Sequence, residues 1–266
     1  MILQSMTPEE KVNQMYKMEA YVYEYAMAWA TRNYNIIRRT KVFPTMYTFD
    51  RDVPGMGTWT MVATAESKAN IRKNIIAMSA YQKFHVPYAK DNKNIGTGIF
   101  LFEGTDDGTI LCLEFSPHCF LRFRQRMIEP KGITQPPFPQ LVKRVLTEHH
   151  SGMDTTVKGF KAIRDDNGKV KIVKTDEHDR YQGYDNLITY TKNGLFLGMA
   201  AANRKYFCYT TFVSNDELFD DQRQEQEKMM KERTRNDFAH RNSPFSKTEV
   251  KKRWSLTDGT PLTDWK

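Results

Sequence analysis

His118, Arg122 and Arg126 recur at four-residue intervals within Ser116-Pro117-His118-Cys119-Phe120-Leu121-Arg122-Phe123-Arg124-Gln125-Arg126. On an α-helix that spacing lines three side chains along one face. An imidazole titrates near neutrality and can move a proton. A guanidinium offers phosphate a planar, bidentate partner. Cleaving an RNA phosphodiester needs a base for the 2′-hydroxyl, cations for the charged phosphorane and an acid for the leaving oxygen. His118, Arg122 and Arg126 are therefore the candidate catalytic residues, with Arg124 as a further nucleic-acid-binding cation. The same row also reads as a solvated helix face, because charged residues at i, i+4 are common on surface helices.

The residues around the row must hold it. Ser116 is a suitable N-cap and Pro117 suits the first helical position. Cys119, Phe123 and Met127 follow the same four-residue spacing one position over, beside Phe120, and supply an apolar stripe. Upstream, Ile99-Phe100-Leu101-Phe102 and Thr109 to Phe115 flank Thr105-Asp106-Asp107-Gly108, a β-hairpin signal that delivers the chain into the helix. The helix is expected to end near Glu129-Pro130. A second helix is expected over about 138–150, with Leu141, Val142, Val145 and Leu146 apolar.

The flanking regions follow the same logic. Thr7-Pro8-Glu9-Glu10 is a capping box opening a helix over about 8–38, with Val12, Met15, Val22, Ala26, Trp29 and Ile36 at helical spacing. Met46 to Phe49 and Trp59 to Thr64 are β-rich around a Pro-Gly turn. The stretch from Ile75 to Val86 leans to strand. After His149-His150-Ser151-Gly152 a mobile segment is expected to about Gly159, and strands are expected over 169–174, 186–191, 195–200 and 206–213. Asn193-Gly194 predicts a type I′ turn. Short links imply an antiparallel meander. Ser214-Asn215-Asp216-Glu217 is a second capping box, opening a charged helix to about 236 that packs only at its start. The expected fold class is α+β: antiparallel sheet with helices packed on one face, a long N-terminal helix and a charged C-terminal helix. The expected division is 1–41 (N-terminal helix), 42–214 (main domain) and 215–266 (charged helix and basic, partly ordered tail).

Composition bounds the function. Lys plus Arg number 40 against 32 Asp plus Glu, a net charge of +8, which favours polyanions such as nucleic acid, or an anionic surface. Sixteen Phe, 13 Tyr and 4 Trp argue for a packed core over disorder. The three cysteines are odd in number and scattered, so a disulfide framework or a structural zinc site is not expected, and a reducing compartment is the simpler reading. No basic segment leading an apolar core opens the chain, and no apolar run is long enough to span a membrane. A cytoplasmic, soluble protein is expected. No P-loop, G-x-G-x-x-G, H-E-x-x-H or G-x-S-x-G occurs. The six histidines lack metal-ligand spacing, and the adjacent His149 and His150 are expected to project to opposed sides. No metal and no cofactor is expected. The aromatic N-terminal helix needs its own core or another chain, which leaves a protein partner or homodimer through that helix open.

Strand, then His118-x-x-x-Arg122-x-x-x-Arg126 on a helix, then Gly132-Ile133-Thr134, a second helix and an antiparallel meander is an order that resembles the RelE and barnase-like ribonuclease toxin-related domains. Their signature is His-Ala-x-x-Arg-x-x-x-Arg-Gly-Ile. The resemblance covers about residues 112–213. It implies two helices laid on a twisted antiparallel sheet and RNA cleavage without metal, with Thr210 or Thr211 facing the site. The chain departs from the pattern in its length, in Cys119 after the histidine and in the long 151–168 segment. A non-catalytic binding or assembly protein, with a nucleic-acid or protein partner, is the alternative.

Overall fold

The computed structural model describes residues 2–41, 45–65, 67–69, 77–87, 95–104, 110–133, 136–157, 159–164, 166, 170–175, 184–201 and 204–242. Helix α1 (Pro8–Arg38) begins where the sequence predicts: Thr7 accepts from the Glu10 N–H, the Glu10 side chain reaches back to the Thr7 N–H, and Pro8 needs no partner. Strands β1 (Thr45–Val53), β2 (Gly57–Ala65), β3 (Ala77–Pro87), β4 (Ile95–Gly104) and β5 (Ile110–Phe115) form an antiparallel meander. The β4–β5 hairpin is therefore present, although its turn lies outside the described residues.

The chain then crosses one face through α2 (Pro117–Phe123), a π turn (Arg124–Ile128), a 3₁₀ turn (Glu129–Lys131) and α3 (Phe138–His150). It returns through β6 (Met153–Val157), β7 (Gly159–Arg164), β8 (Val170–Thr175), β9 (Asp185–Tyr190), β10 (Gly194–Ala201) and β11 (Tyr206–Ser214). After a 3₁₀ turn (Asn215–Glu217) comes α4 (Asp220–Asn242), the last element among the described residues. Nine strands make one sheet in the order β1-β2-β3-β4-β5-β11-β10-β9-β6, and β7–β8 form a separate ribbon. Every pairing is antiparallel except β5 with β11. That parallel seam joins the two meanders, as the helical crossover between them requires. The fold class is α+β.

Alternation along the strands separates two cores. On one face Leu101, Leu113, Phe115, Phe196, Tyr209 and Phe212 meet Phe120 and Phe123 of α2 and Val142 and Val145 of α3. On the other, Trp59, Met61, Phe100, Cys112 and Tyr206 meet Val12, Met15, Met18 and Val22 of α1. Farther along that second face, Ile188, Leu195, Leu197 and Val213 pack with Leu218, and Met229 of α4 covers them. Helix α1 thus finds its core on its own sheet. Met18 and, at the far end of the helix, Ile37 are fully buried, whereas Ile36 beside it faces solvent.

Four expectations need correction. The 153–159 segment, expected to be mobile, carries β6 and the start of β7. The strand expected over 169–174 pairs with β7 and stands outside the meander. The Asn193-Gly194 hairpin exists, but neither residue adopts a positive φ, so the turn is not type I′. Asn193 instead gives its backbone and side-chain N–H groups to Glu148 at 3.2 and 2.8 Å. A Cβ on Gly194 would sit 2.2 Å from the Val213 carbonyl, so closeness to β11 selects glycine there. Finally, the Ser214–Glu217 capping box closes a 3₁₀ turn, and α4 starts afresh at Asp220. Its packing also continues past its first turns: Gln222 and Gln226 are buried, and Arg233 donates to the His150 carbonyl. The tail beyond Asn242 lies outside the described residues.

Candidate functional site

Ser116 fixes the start of α2. Its hydroxyl accepts from the Cys119 N–H at 3.1 Å and donates to the Thr210 carbonyl at 2.9 Å, tying the helix to β11. Cys119, Phe120 and Phe123 are buried, so the helix cannot rotate, and His118 is left exposed. Arg122 Nε donates to His118 Nε2 at 3.4 Å, and the same guanidinium donates to Gln125 at 3.2 Å. Desolvation, then the charges of Arg122 and Arg126, hold the His118 pKa below its ordinary value. A neutral imidazole beside a guanidinium is thus the resting state at neutral pH.

The other two arginines are engaged by carboxylates. Arg124 pairs with Glu129 at 3.0 Å, across the π turn. Arg126 reaches Glu217 with two nitrogens, at 2.6 and 2.7 Å, in a bidentate pair that clamps the π turn to the 3₁₀ turn after β11. Glu217 was legible in sequence only as a capping residue. Thr211 is not brought to the row: Phe212 packs on α2, and alternation puts Thr211 on the opposite sheet face. Thr210 is the extra residue of a β-bulge opposite Leu197, and it contributes its carbonyl to Ser116.

Depression of the His118 pKa has a measurable consequence. A folded-state pKa below the unfolded value means that protonation opposes folding. This contribution is present above the unfolded pKa and is lost as pH falls through the folded one. An NMR titration is expected to place the His118 midpoint below about 6.5 and to move it up in Arg122→Gln. An unmoved midpoint would show that Arg122 does not act on the ring.

Between the π turn and α3 runs a groove of about 590 Å³. Met46, Phe123 and Met127 give it an apolar floor, and Lys131, Lys143 and Arg144 bring positive charge to its lining. Periodicity placed Phe123, Met127, Lys143 and Arg144 on helices and Met46 on a strand, but only the tertiary fold sets them around one groove.

A second cluster arises at the C-terminal end of α3. His149 and His150 were expected to diverge, yet their ring centroids lie 5.6 Å apart. The reason is the helix end. Ser151 closes the last turn, and a Cβ on Gly152 would meet Thr189 and the Tyr190 carbonyl, so β6 must leave close against β9. His149 is 6% exposed and packs edge-on against Phe115 and Tyr209, while His150 sits at the surface. Glu103 on β4 lies 3.3 Å from His150 Nε2. Burial alone would raise the Glu103 carboxyl and lower the His150 imidazole. The hydrogen bond and charge between them outweigh it, so Glu103 lies below and His150 above its ordinary value. Burial leads for His149 and holds it low. One ligand atom from each of Glu103, His149 and His150 falls within 4.8 Å of the others, a metal-competent grouping.

The cysteines offer no alternative chemistry. All three are free, and burial pushes the Cys112 and Cys208 thiols up to about 12. Among the described residues, no helix is long and apolar enough to cross a membrane. What fold and site define together is an α+β protein with a cationic helical face and a separate His-His-Glu cluster. Compared with known proteins, the chain matches no family model, no curated protein and no solved structure.

Proposed function

We propose that the protein is RNA-directed, taking a phosphate backbone across the α2–α3 face, with His118 and Arg122 as the pair at which a phosphodiester is cut without metal. The observation that carries this reading is the exposed, low-pKa His118 hydrogen-bonded to Arg122 on a rigidly capped helix. With Arg122 turned from His118 Nε2 onto the phosphate, that nitrogen takes the 2′-hydroxyl proton, Arg122 offsets the developing charge, and the leaving oxygen takes its proton from water. The groove supports it, since Lys131, Lys143 and Arg144 line an open channel on a chain of net charge +8. The run of two helices into a meander supports the likeness to ribonuclease toxin-related domains.

A second reading, binding without cleavage, is favoured by one observation: Glu129 and Glu217 neutralise Arg124 and Arg126, leaving the row with fewer cations for a phosphorane. One experiment separates the two. Untagged protein is incubated with total RNA, with and without EDTA, beside His118→Ala and the double variant Lys143→Glu/Arg144→Glu. Cleavage that survives EDTA and disappears in His118→Ala supports the first reading. Binding without cleavage, weakened by the groove variant, supports the second. Three phosphate contacts in the groove predict a log–log salt slope of roughly −2 on single strands, shallower in the groove variant. Neither binding nor cleavage by the wild-type chain sinks both.

A further inference from the structure

The cluster at the end of α3 has a feature that an ordinary ion pair does not need. His149 Nδ1 is buried and makes no hydrogen bond among the described residues, although an unpartnered polar atom in a core is costly. Its other nitrogen is firmly occupied. Nε2 lies 2.6 Å from the Tyr209 hydroxyl, which lies 3.3 Å from Thr189 Oγ1, which in turn lies 2.5 Å from an Asp154 carboxylate oxygen.

The direction of this chain follows from its end. An ionised carboxylate only accepts, so Thr189 spends its one proton on Asp154. Thr189 Oγ1 is then an acceptor for Tyr209, whose own proton is spent on it. Tyr209 oxygen in turn accepts from His149 Nε2–H. A neutral imidazole protonated at Nε2 carries a bare lone pair at Nδ1, the atom with no protein partner among the described residues.

We propose that Glu103, His149 and His150 bind one divalent transition-metal ion of the zinc class, with the Tyr209–Thr189–Asp154 chain fixing the His149 tautomer for ligation. Two imidazoles and one carboxylate are a donor set suited to zinc, cobalt or ferrous iron, and three protein ligands leave coordination positions open to solvent. Ligand bonds of about 2.0–2.2 Å to a tetrahedral ion put donor atoms roughly 3.4 Å apart. Glu103 and His150 already stand at 3.3 Å, and both side chains are exposed enough to swing onto an ion held by the fixed His149. A ligating histidine donating its second N–H to a hydrogen-bonded partner is the usual supporting arrangement. The local charge also favours a cation. Two carboxyl side chains, Glu103 in the cluster and Asp154 at the end of the hydrogen-bonded chain, stand against Arg233, which spends one nitrogen on the His150 carbonyl.

The test is titration of the EDTA-stripped, untagged full chain with Zn²⁺ by calorimetry and with Co²⁺ by visible absorption. One equivalent is expected, with a Co²⁺ d–d band of low-coordinate intensity. Glu103→Gln and His150→Gln alter surface side chains, so folding is checked by circular dichroism. Each is expected to weaken binding at least about 100-fold, and Tyr209→Phe about 10–100-fold by releasing the tautomer. No uptake by the wild-type chain, or uptake that survives both Glu103→Gln and His150→Gln, would overturn the site. Wild-type affinity in Tyr209→Phe would overturn the role given to the hydrogen-bonded chain.

Discussion

Glu114→Ala is expected to destabilise the protein by about 3–5 kcal/mol, seen as a fall in the urea midpoint at unchanged slope. Lys11, in the early turns of α1, places Nζ 2.8 Å from Glu114 Oε2 on β5 and 3.1 Å from the Tyr206 hydroxyl on β11. Tyr206 also donates to the same carboxylate oxygen. Lys11 is 7% exposed and Glu114 8%, with the ammonium over the rings of Phe100 and Tyr206 at 5.0 and 5.2 Å. The trio pins the N-terminal helix to the parallel seam between the two meanders. Losing the carboxylate strands a desolvated ammonium and a tyrosine hydroxyl in an apolar layer. The large expected cost is therefore the cost of an orphaned charge, and it differs from the net worth of the pair. Lys11→Met/Glu114→Gln tests that distinction: it removes both charges, leaves Tyr206 an acceptor, and is expected to recover most of the loss. A double variant as unstable as Glu114→Ala would show that the ion pair itself stabilises the fold.

Phe115→Ala should cost a similar amount, about 3–5 kcal/mol, or a melting temperature lower by roughly 10 °C. Phe115 is the last residue of β5 and is fully buried. Its ring stacks on Tyr209 at 4.7 Å, meets His149 and Phe196 edge-on at 5.3 and 6.1 Å, and lies 6.2 Å from Phe120 of α2. Truncation opens a cavity where α2, α3 and the seam converge, and the surrounding aromatic rings are too rigid to fill it. Phe115→Leu keeps most of the volume and is expected to cost about 1–1.5 kcal/mol. Because the ring also walls in His149 and Tyr209, the alanine variant should loosen the His-His-Glu cluster as well as the core. Thermal unfolding followed by circular dichroism measures the first effect. A shift below 3 °C would mean that the site collapses around the gap.

How much of this was legible in the chain depends on the range of the interaction that decides each feature. Local rules sufficed for the helices: Thr7-Pro8-Glu9-Glu10 and Ser116-Pro117 satisfy their helix starts with groups three residues away, and α1 and α3 occupy the predicted spans. The β1–β2 and β4–β5 hairpins follow equally from alternation and turn residues. Where a local signal met a nearer tertiary partner, the partner prevailed. Asn193 bonds Glu148 in place of forming a type I′ turn, and the second capping box stops at a 3₁₀ turn before Leu218 enters the core.

The sequence by itself determined the α+β class, the amphipathic α2 and the pair of His118 and Arg122 on its surface, because periodicity and capping act within a few residues. Only the tertiary structure decided which arginines keep their charge for a ligand, since Glu217 lies 91 residues from Arg126 along the chain. It likewise decided that His149 and His150, neighbours set aside on spacing, meet Glu103 from another strand. Such groupings arise where sheet register and helix ends bring distant residues within a few ångströms, and no spacing along the chain encodes that closeness.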